Sequence, residues 1–167
     1  MATKKRNTDD GLTVVATNRD ARRSFELLDT FEAGIVLQGS EVKSLRESKV
    51  QLKDAYCRFD DDELFVVSLH ISPYSKSTDA AFGHIADRPR KLLMHRGQLD
   101  RLKPRVDQER LTLVPTRLYF KEGRAKLEFA LGRSKKQHDK RADIARRDAD
   151  RDAARAIAQN RRRIEPR

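Results

Sequence analysis

The strongest constraint on the fold of this chain is a pair of hairpin patterns, in which two runs of β-favouring residues flank a tight turn. Residues 50–59 and 63–71 flank the acidic cluster Asp60-Asp61-Asp62, and residues 111–120 and 124–131 flank Glu122-Gly123. Turn-forming residues between two such runs are typical of antiparallel hairpins, and glycine supplies the positive φ that tight turns need. The sequence therefore favours an antiparallel sheet.

The face that each strand turns to the core follows from the period of two along a strand. In the first hairpin this period assigns four residues to the core, Phe65, Val67, Leu69 and Ile71, and three to the opposite face, Val66, Ser68 and His70. In the second hairpin it assigns Leu127, Phe129 and Leu131 to the core.

The remaining elements are one more strand and short helices. Residues 31–37 predict a long strand bent at Gly34, and Ser40 is a plausible N-cap of a helix with Glu41 in its first turn. A second helical period follows an irregular loop over residues 72–90, and Pro104 should kink or split it. Five strands without a strand–helix–parallel-strand period predict a mainly β fold with short helices, a small antiparallel OB-type Greek-key barrel.

Composition separates both ends of the chain from this barrel. Residues 1–17 are polar and predict a disordered arm, after which Asn18 is expected to cap a short helical turn. Residues 18–132 form the predicted folded domain. Residues 133–167 carry +7 of the formal net charge of +11 with almost no large apolar side chains, so they predict a disordered basic tail that becomes helical only on a partner.

The excess of positive charge points to a polyanionic partner, because a protein that neutralises phosphates releases condensed counterions. A membrane surface would need an apolar face, which the tail lacks. No signal peptide or spanning segment is recognisable, so a cytoplasmic protein that does not associate with membranes is expected.

Patterns of catalytic or metal-binding residues are not found. Cys57 is the only cysteine, and the four histidines lack the i, i+4 spacing of a helical zinc site. The run Asp60-Asp61-Asp62-Glu63 fits a solvated turn better than a magnesium site. A Walker-type loop and a Gly-x-Ser-x-Gly elbow are absent, so neither enzymatic activity nor a cofactor or metal is expected.

Several motifs in one order resemble the SmpB (small protein B) family, the SsrA-binding proteins of bacterial trans-translation. They are FEAGIVLQGSEVKSLR at 31–46, LKDAY at 52–56, HISPY at 70–74, RPRKLL at 88–93, LTLVP at 111–115 and KKQHDKR at 135–141. The family differs at two positions, since it usually has Ala where this chain has Gly132 and Gly where it has Ser134.

The resemblance implies an OB-fold barrel that binds the tRNA-like domain of transfer-messenger RNA (tmRNA). It also implies delivery of that RNA, charged with alanine, to stalled ribosomes, where the nascent peptide is tagged for degradation. The small-subunit decoding centre and, indirectly, elongation factor Tu are the implied further partners. The family has no catalytic site or cofactor, and we expect a monomer.

Residue roles are carried over from the same resemblance, which spans roughly residues 18–150. The implied RNA-binding residues are Asn18, Arg19, Glu32, Arg88, Arg90, Lys91, Leu93 and Lys126, where Leu93 could instead be a core residue. The implied ribosome-engaging residues of the tail are Lys135, Lys136, His138, Asp139, Lys140, Arg141 and Ile144. Two other functions stay open at this point: a basic ribosomal or initiation-type OB protein that binds ribosomal RNA alone, and, with little support, a metal-dependent RNase.

Overall fold

A computed structural model of the chain describes residues 8–9, 12–74 and 84–135, together with Ala149, Arg151, Ala153 and Arg155. Residue contacts divide the chain into two units, Met1–Ser134 and Lys135–Arg167. The elements below all belong to the first unit.

Ten strands and three helices are present in the described part of that unit. The strands are β1 (Thr8–Asp9), β2 (Leu12–Thr17), β3 (Phe25–Ile35), β4 (Val50–Gln51), β5 (Tyr56–Asp60), β6 (Glu63–Val67), β7 (His70–Ile71), β8 (Arg90–Leu93), β9 (Thr112–Lys121) and β10 (Arg124–Ser134). The helices are α1 (Ala21–Ser24), α2 (Gly39–Arg46) and α3 (Arg96–Glu109). The pairings between these strands are antiparallel.

Strand β9 closes the main sheet into a barrel because it pairs along both of its edges. The sheet order is β1-β2-β9-β10-β3-β8-β6-β5, and Cys57 of β5 pairs with Leu113 of β9. The C-terminal half of that β9 edge pairs instead with β2, from Thr17 opposite Arg117 to Leu12 opposite Lys121. The ring therefore consists of β9, β10, β3, β8, β6 and β5, which confirms the predicted mainly β class and small antiparallel barrel.

Inward-facing side chains from every strand of this ring fill the barrel. Leu64, Leu118, Leu127 and Phe129 are fully buried. The ring of Phe31 stacks on that of Phe129 with centroids 5.7 Å apart. Burial of apolar surface at about 25 cal/mol per Å² is the main favourable contribution to such a core.

The N-terminal segment is more ordered than predicted. The prediction of a disordered arm over residues 1–17 is wrong for Leu12–Thr17, which is strand β2. Its side chains are half-buried along nearly the whole strand and do not alternate. A strand that extends the sheet outside the closed ring does not need one core-facing side, so the period of two is missing from its sequence.

The predicted core face of β6 is reversed. Leu64 and Val66 are fully buried whereas Phe65 and Val67 are only half-buried, although Leu69 and Ile71 lie in the core as predicted. Ser68 has a φ of 56°, in the left-handed region. One residue outside the extended conformation breaks the period of two. The odd-numbered residues therefore face outward before Ser68 and inward after it.

Two helices differ from their predicted form. Helix α2 begins two residues earlier than expected, since Gln38 and not Ser40 is its N-cap, and Gln38 forms a capping box with Glu41. Helix α3 runs through Pro104 without interruption from Arg96 to Glu109. The single backbone donor that proline removes is tolerated because Leu102 is buried against the barrel and packing holds the helix.

The second hairpin forms as predicted. Leu127, Phe129 and Leu131 are fully buried, and Glu122 and Gly123 have φ values of 51° and 75°. Positive φ at both central residues of a two-residue loop is the geometry that matches the twist of hairpin strands. Strand β10 continues to Ser134, two residues beyond the predicted end of the folded domain, with Arg133 opposite Glu26.

Candidate nucleic-acid interface

Strands β8, β3, β10 and β9 lie side by side and direct alternate side chains away from the barrel interior. Gly34 of β3 pairs with Leu93 on one side and with Lys126 on the other, and Lys126 pairs with Tyr119. The register therefore gathers on one surface the residues Glu32, Leu93, Tyr119, Lys121 and Lys126, here called the outer face. Three of the predicted RNA-binding residues, Glu32, Leu93 and Lys126, belong to it.

Glu32 lies at the centre of the charged part of the outer face. Its Oε2 accepts a hydrogen bond from the Tyr119 hydroxyl. The ammonium groups of Lys126 and Lys121 lie 3.5 Å and 3.9 Å from its carboxylate oxygens. Each carboxylate oxygen thus has one ammonium group near it, while 38% of the side chain remains exposed.

These contacts set the ionisation of Glu32. The hydrogen bond from Tyr119 is the largest effect on the pKa of Glu32, and with the charges of Lys121 and Lys126 it lowers that pKa below its ordinary value. Burial, and then the bond to Glu32, raises the pKa of Tyr119. Glu32 is consequently an ionised acceptor and Tyr119 a neutral donor at neutral pH.

A second carboxylate, Glu128, lies directly opposite Glu32 in the β10–β3 register. Arg117 engages it with two hydrogen bonds, Nη2 to Oε2 at 2.5 Å and Nε to Oε1 at 3.0 Å. Burial alone would raise the pKa of Glu128, but Arg117 and the Thr116 hydroxyl outweigh it and lower the pKa. The charge of Glu128 is therefore matched locally and does not cancel the lysines beside Glu32.

Leu93 is exposed to 54%, so of its two predicted roles the core role is wrong. It follows the buried Leu92 on β8 and lies opposite Gly34 of β3. A Cβ atom at Gly34 would lie 3.4 Å from the Cβ of Leu93, so a larger residue there would crowd the leucine. An exposed leucine across Gly34 from Lys126 offers an apolar contact for a ribose or an unstacked base.

Arg90 is not an RNA-binding residue, because its side chain is fully buried. Its Nε donates to Glu41 Oε1 at 2.9 Å, and its Nη1 and Nη2 donate to the carbonyls of Leu69 at 2.6 Å and Ala86 at 2.8 Å. Arg88 binds the same carboxylate from the more exposed side, with Nη2 at 2.6 Å from Glu41 Oε2. The basic segment predicted for RNA is thus in part a structural ion-pair cluster that joins α2 to β8.

The other predicted RNA-binding residues lie apart from this centre or have structural roles. Asn18 is buried, donates through Nδ2 to the carbonyls of Leu52 at 3.2 Å and Pro115 at 3.1 Å, and accepts from the Ala21 N–H at 3.1 Å. That last bond satisfies a free backbone donor at the start of α1, as predicted, although the N-cap residue is Asp20 and not Asn18. Arg19 is exposed, and Lys91 forms an ion pair with Glu63 in which both side chains are about half exposed.

Most of the predicted ribosome-engaging residues, from Lys136 to Ile144, lie outside the described residues. Lys135 is described and half-buried. Further along the tail, the backbone is helical and the side chains exposed at Ala149, Arg151, Ala153 and Arg155.

Sequence reasoning missed two members of the outer face, Tyr119 and Lys121. Both lie on β9, where the alternation around the buried Leu118 already assigns them to one side of the strand. The signal that could have found them is this period of two together with the register to Lys126.

Within the described ranges, no group of three or more His, Cys, Asp or Glu side chains is placed to hold a metal ion. The thiol of Cys57 is buried, and burial raises its pKa, which opposes formation of the reactive thiolate. No helix among the described residues is long and apolar enough to cross a membrane.

Comparison with known proteins places the chain in one family. Residues 15–159 match the family of the SmpB protein. An SsrA-binding protein of Solidesulfovibrio magneticus is 49% identical over 91% of this chain and 97% of its own length, and one of Mycolicibacterium smegmatis is 48% identical over 92% and 94%.

A solved structure gives the same result. Its description is "tmRNA-SmpB: a journey to the center of the bacterial ribosome", and the similar chain in it is 47% identical with a TM-score of 0.61. The match covers 73% of this chain and 85% of that one. From the match over residues 15–159 and these relatives, the chain belongs to the SmpB family.

Proposed function

We propose that this chain binds the tRNA-like domain of tmRNA through the outer face and delivers the alanyl-charged RNA to stalled ribosomes. There the basic tail engages the small-subunit decoding centre, and the nascent peptide is tagged for degradation. The observation that carries the proposal is the sheet register that brings Glu32, Leu93 and Lys126 together. These are positions to which the family resemblance assigns RNA contacts.

The chemistry of the outer face suits a structured RNA. A-form RNA hides its major groove, so a barrel recognises it through phosphates, 2′-hydroxyls and unstacked bases. Lys121 and Lys126 supply the phosphate contacts, Leu93 the apolar contact and Glu32 a hydrogen-bond acceptor. Recognition of this kind needs shape and charge and involves no bond-making step, so the function is adaptor binding and not catalysis.

The partners follow from the same reasoning and from the relatives. The similar proteins are named SsrA-binding proteins, and the similar structure is described as tmRNA with SmpB in the ribosome. We place this chain in the same complex in the cytoplasm, acting as a monomer on the RNA, with elongation factor Tu an indirect partner through the charged RNA.

The test is to purify the tagged protein from its own cells and to sequence the RNA bound to it. One abundant RNA with a tRNA-like domain should dominate the bound fraction. Recovery of ribosomal RNA alone would instead support a ribosomal or initiation-type protein, and magnesium-dependent cleavage of the bound RNA would support a nuclease.

The test variant replaces Lys121 and Lys126 with alanine and should lose the enriched RNA. Replacement of Lys103 and Arg105, which lie on helix α3 and pair with Asp62 and Asp29, removes the same charge elsewhere. That second variant should retain the RNA.

A further inference from the structure

Tyr119 supports Glu32 from within the sheet although little of Tyr119 itself can be reached. Only 6% of Tyr119 is exposed, compared with 38% of the Glu32 side chain. A large ligand that meets the carboxylate therefore does not meet the phenol ring. The hydroxyl of Tyr119 occupies one site on Oε2, and an ionised carboxylate has about four acceptor sites, so Glu32 can still accept from a ligand.

Two lysines contact this carboxylate, one at each oxygen. Lys121 of β9 lies 3.9 Å from Oε2, and Lys126 of β10 lies 3.5 Å from Oε1. Glu128, the nearest like charge in the register, is bound by Arg117. The lysines attract phosphates, but the carboxylate repels a phosphate at its own position, where it accepts only from a hydrogen-bond donor.

We propose that Tyr119 is a positioning residue for RNA recognition, which fixes the Glu32 carboxylate beside Lys121 and Lys126 so that Glu32 accepts a hydrogen bond from the RNA while the lysines bind neighbouring phosphates. This inference rests on the proposed function of the outer face. The donor on the RNA is an O–H or N–H group, which a ribose 2′-hydroxyl or a base amino group can supply.

The proposal has a consequence for pH that a purely structural tyrosine would not have. The groups that face Glu32 are Tyr119 and Lys121 from β9 and Lys126 and the Arg117-bound Glu128 from β10. The Tyr119 hydroxyl contributes most to lowering the pKa of Glu32. A carboxylate with a lowered pKa stays ionised until the pH falls through that lower value, so loss of the hydroxyl should move the loss of RNA binding to a higher pH.

The experiment uses Tyr119→Phe, Glu32→Ala and the double variant of the full chain. Affinity for the tRNA-like domain of tmRNA is measured between pH 4 and pH 7, a range of about 3 units around the ordinary carboxyl pKa. The titration of the Glu32 side-chain carbon is followed by NMR in the free protein. Tyr56→Phe, which removes the hydroxyl of an exposed tyrosine on β5, is the matched control.

Tyr119→Phe should weaken binding at neutral pH by roughly three- to tenfold, the net effect of one typical hydrogen bond. It should raise the titration midpoint of Glu32, and it should have no further effect in the Glu32→Ala background. Tyr56→Phe should leave the Glu32 midpoint unchanged. RNAs with 2′-deoxy substitutions separate the two donors, since loss of a 2′-hydroxyl contact weakens the wild-type chain but not Glu32→Ala.

Two results would overturn the positioning role of Tyr119. In the first, Tyr119→Phe changes neither the affinity for RNA nor the titration midpoint of Glu32. In the second, Tyr119→Phe reduces the affinity equally in the wild-type and the Glu32→Ala background. A wild-type chain that fails to bind the tRNA-like domain would overturn the proposed function and this inference with it. The NMR titration needs no RNA, so it separates a failure of the local geometry from a failure of the function.

Discussion

Two glutamates of this chain show how exposure decides whether an ionised carboxylate can bind a ligand. Glu41 is fully buried and is held by Arg88, Arg90 and the Gln38 N–H. Burial would raise the pKa of Glu41, but these donors outweigh it and lower that pKa, so the group is ionised and fully satisfied. Glu32 has a comparable set of donors but remains partly exposed, so it retains acceptor sites for a ligand.

The burial of Arg90 predicts that its removal costs stability and not RNA contacts. Arg90→Ala should lower the free energy of unfolding by about 3–5 kcal/mol, because it leaves part of a buried charge cluster without its partner. Urea unfolding measures this. Arg105→Ala removes an exposed arginine that pairs with Asp29, and this control should leave the free energy of unfolding nearly unchanged, because exposed ion pairs contribute little.

The affinity of folded Arg90→Ala for the tRNA-like domain should stay close to that of the wild-type chain. An unchanged stability together with a loss of RNA binding would return Arg90 to the interface.

The two lysines beside Glu32 predict a change in the salt dependence of binding. Replacement of both Lys121 and Lys126 by alanine should weaken RNA binding and reduce the slope of log affinity against log salt by about 1.4–1.8, since each phosphate contact contributes about 0.7–0.9. The thermal midpoint should barely move, because both side chains are partly exposed. A slope equal to that of the wild-type chain, measured by titration at several salt concentrations, would exclude phosphate contacts at these positions.

Among the strands, those with one buried and one exposed face were predicted correctly from the sequence. β10 has one buried and one outward face over residues 126–129, and its pattern predicted both its position and its core side. β2 lacks that difference and was predicted as a disordered arm. β8 was hidden inside a basic segment, because two of its four residues are Arg90 and Lys91 and the burial of Arg90 depends on Glu41, which is distant in sequence.

The left-handed backbone at Ser68 explains why the core face of β6 was predicted wrongly, and substitutions at Ser68 can test this explanation. A residue with a Cβ atom in the left-handed region costs roughly 1–2 kcal/mol relative to glycine, so Ser68→Gly should be neutral or stabilise the protein by up to about 1 kcal/mol. Ser68→Val should destabilise it, since a β-branched residue rarely adopts positive φ. Urea unfolding compares them with Ser72→Gly, whose backbone lacks a positive φ and which should gain nothing.

Ser68→Val as stable as the wild-type chain would show that the left-handed backbone at this position is not required for the change of face.

For the molecule as a whole, the family resemblance named three residues of the proposed interface that physical pattern did not connect, and the structure explains why. Glu32, Leu93 and Lys126 are far apart in sequence and meet only through the register of three strands. The identity of a charged or polar residue does not reveal by itself whether its side chain faces the solvent or the core. This is why Arg90 and Asn18 entered the predicted interface although both are buried.

The division of the chain at Ser134 predicts that barrel and tail can be separated experimentally. A chain that stops after Ser134 retains the whole of β10 and should keep its thermal midpoint and most of its affinity for the tRNA-like domain. Ribosome rescue should fail, because the proposed basic contacts to ribosomal RNA lie in residues 135–167. A chain that stops after Leu131 is the control and should melt at a lower temperature, since it loses the pairing of Gly132, Arg133 and Ser134 with β3.

Ile144→Pro then separates the charge of the tail from its ability to form a helix. Proline removes a backbone donor and clashes with the preceding turn, at a cost of about 3 kcal/mol in a helix interior, but it leaves every charge in place. If the tail folds into a helix on the ribosome, part of the binding free energy is used to order it, and proline increases that ordering cost. This variant should therefore transfer less alanine on stalled ribosomes. Its affinity for free RNA should be unchanged, because the outer face is intact. Normal transfer by the proline variant would mean that the tail acts as an unstructured polycation, whose contribution depends on Lys135, Lys136, Lys140 and Arg141 as charges alone.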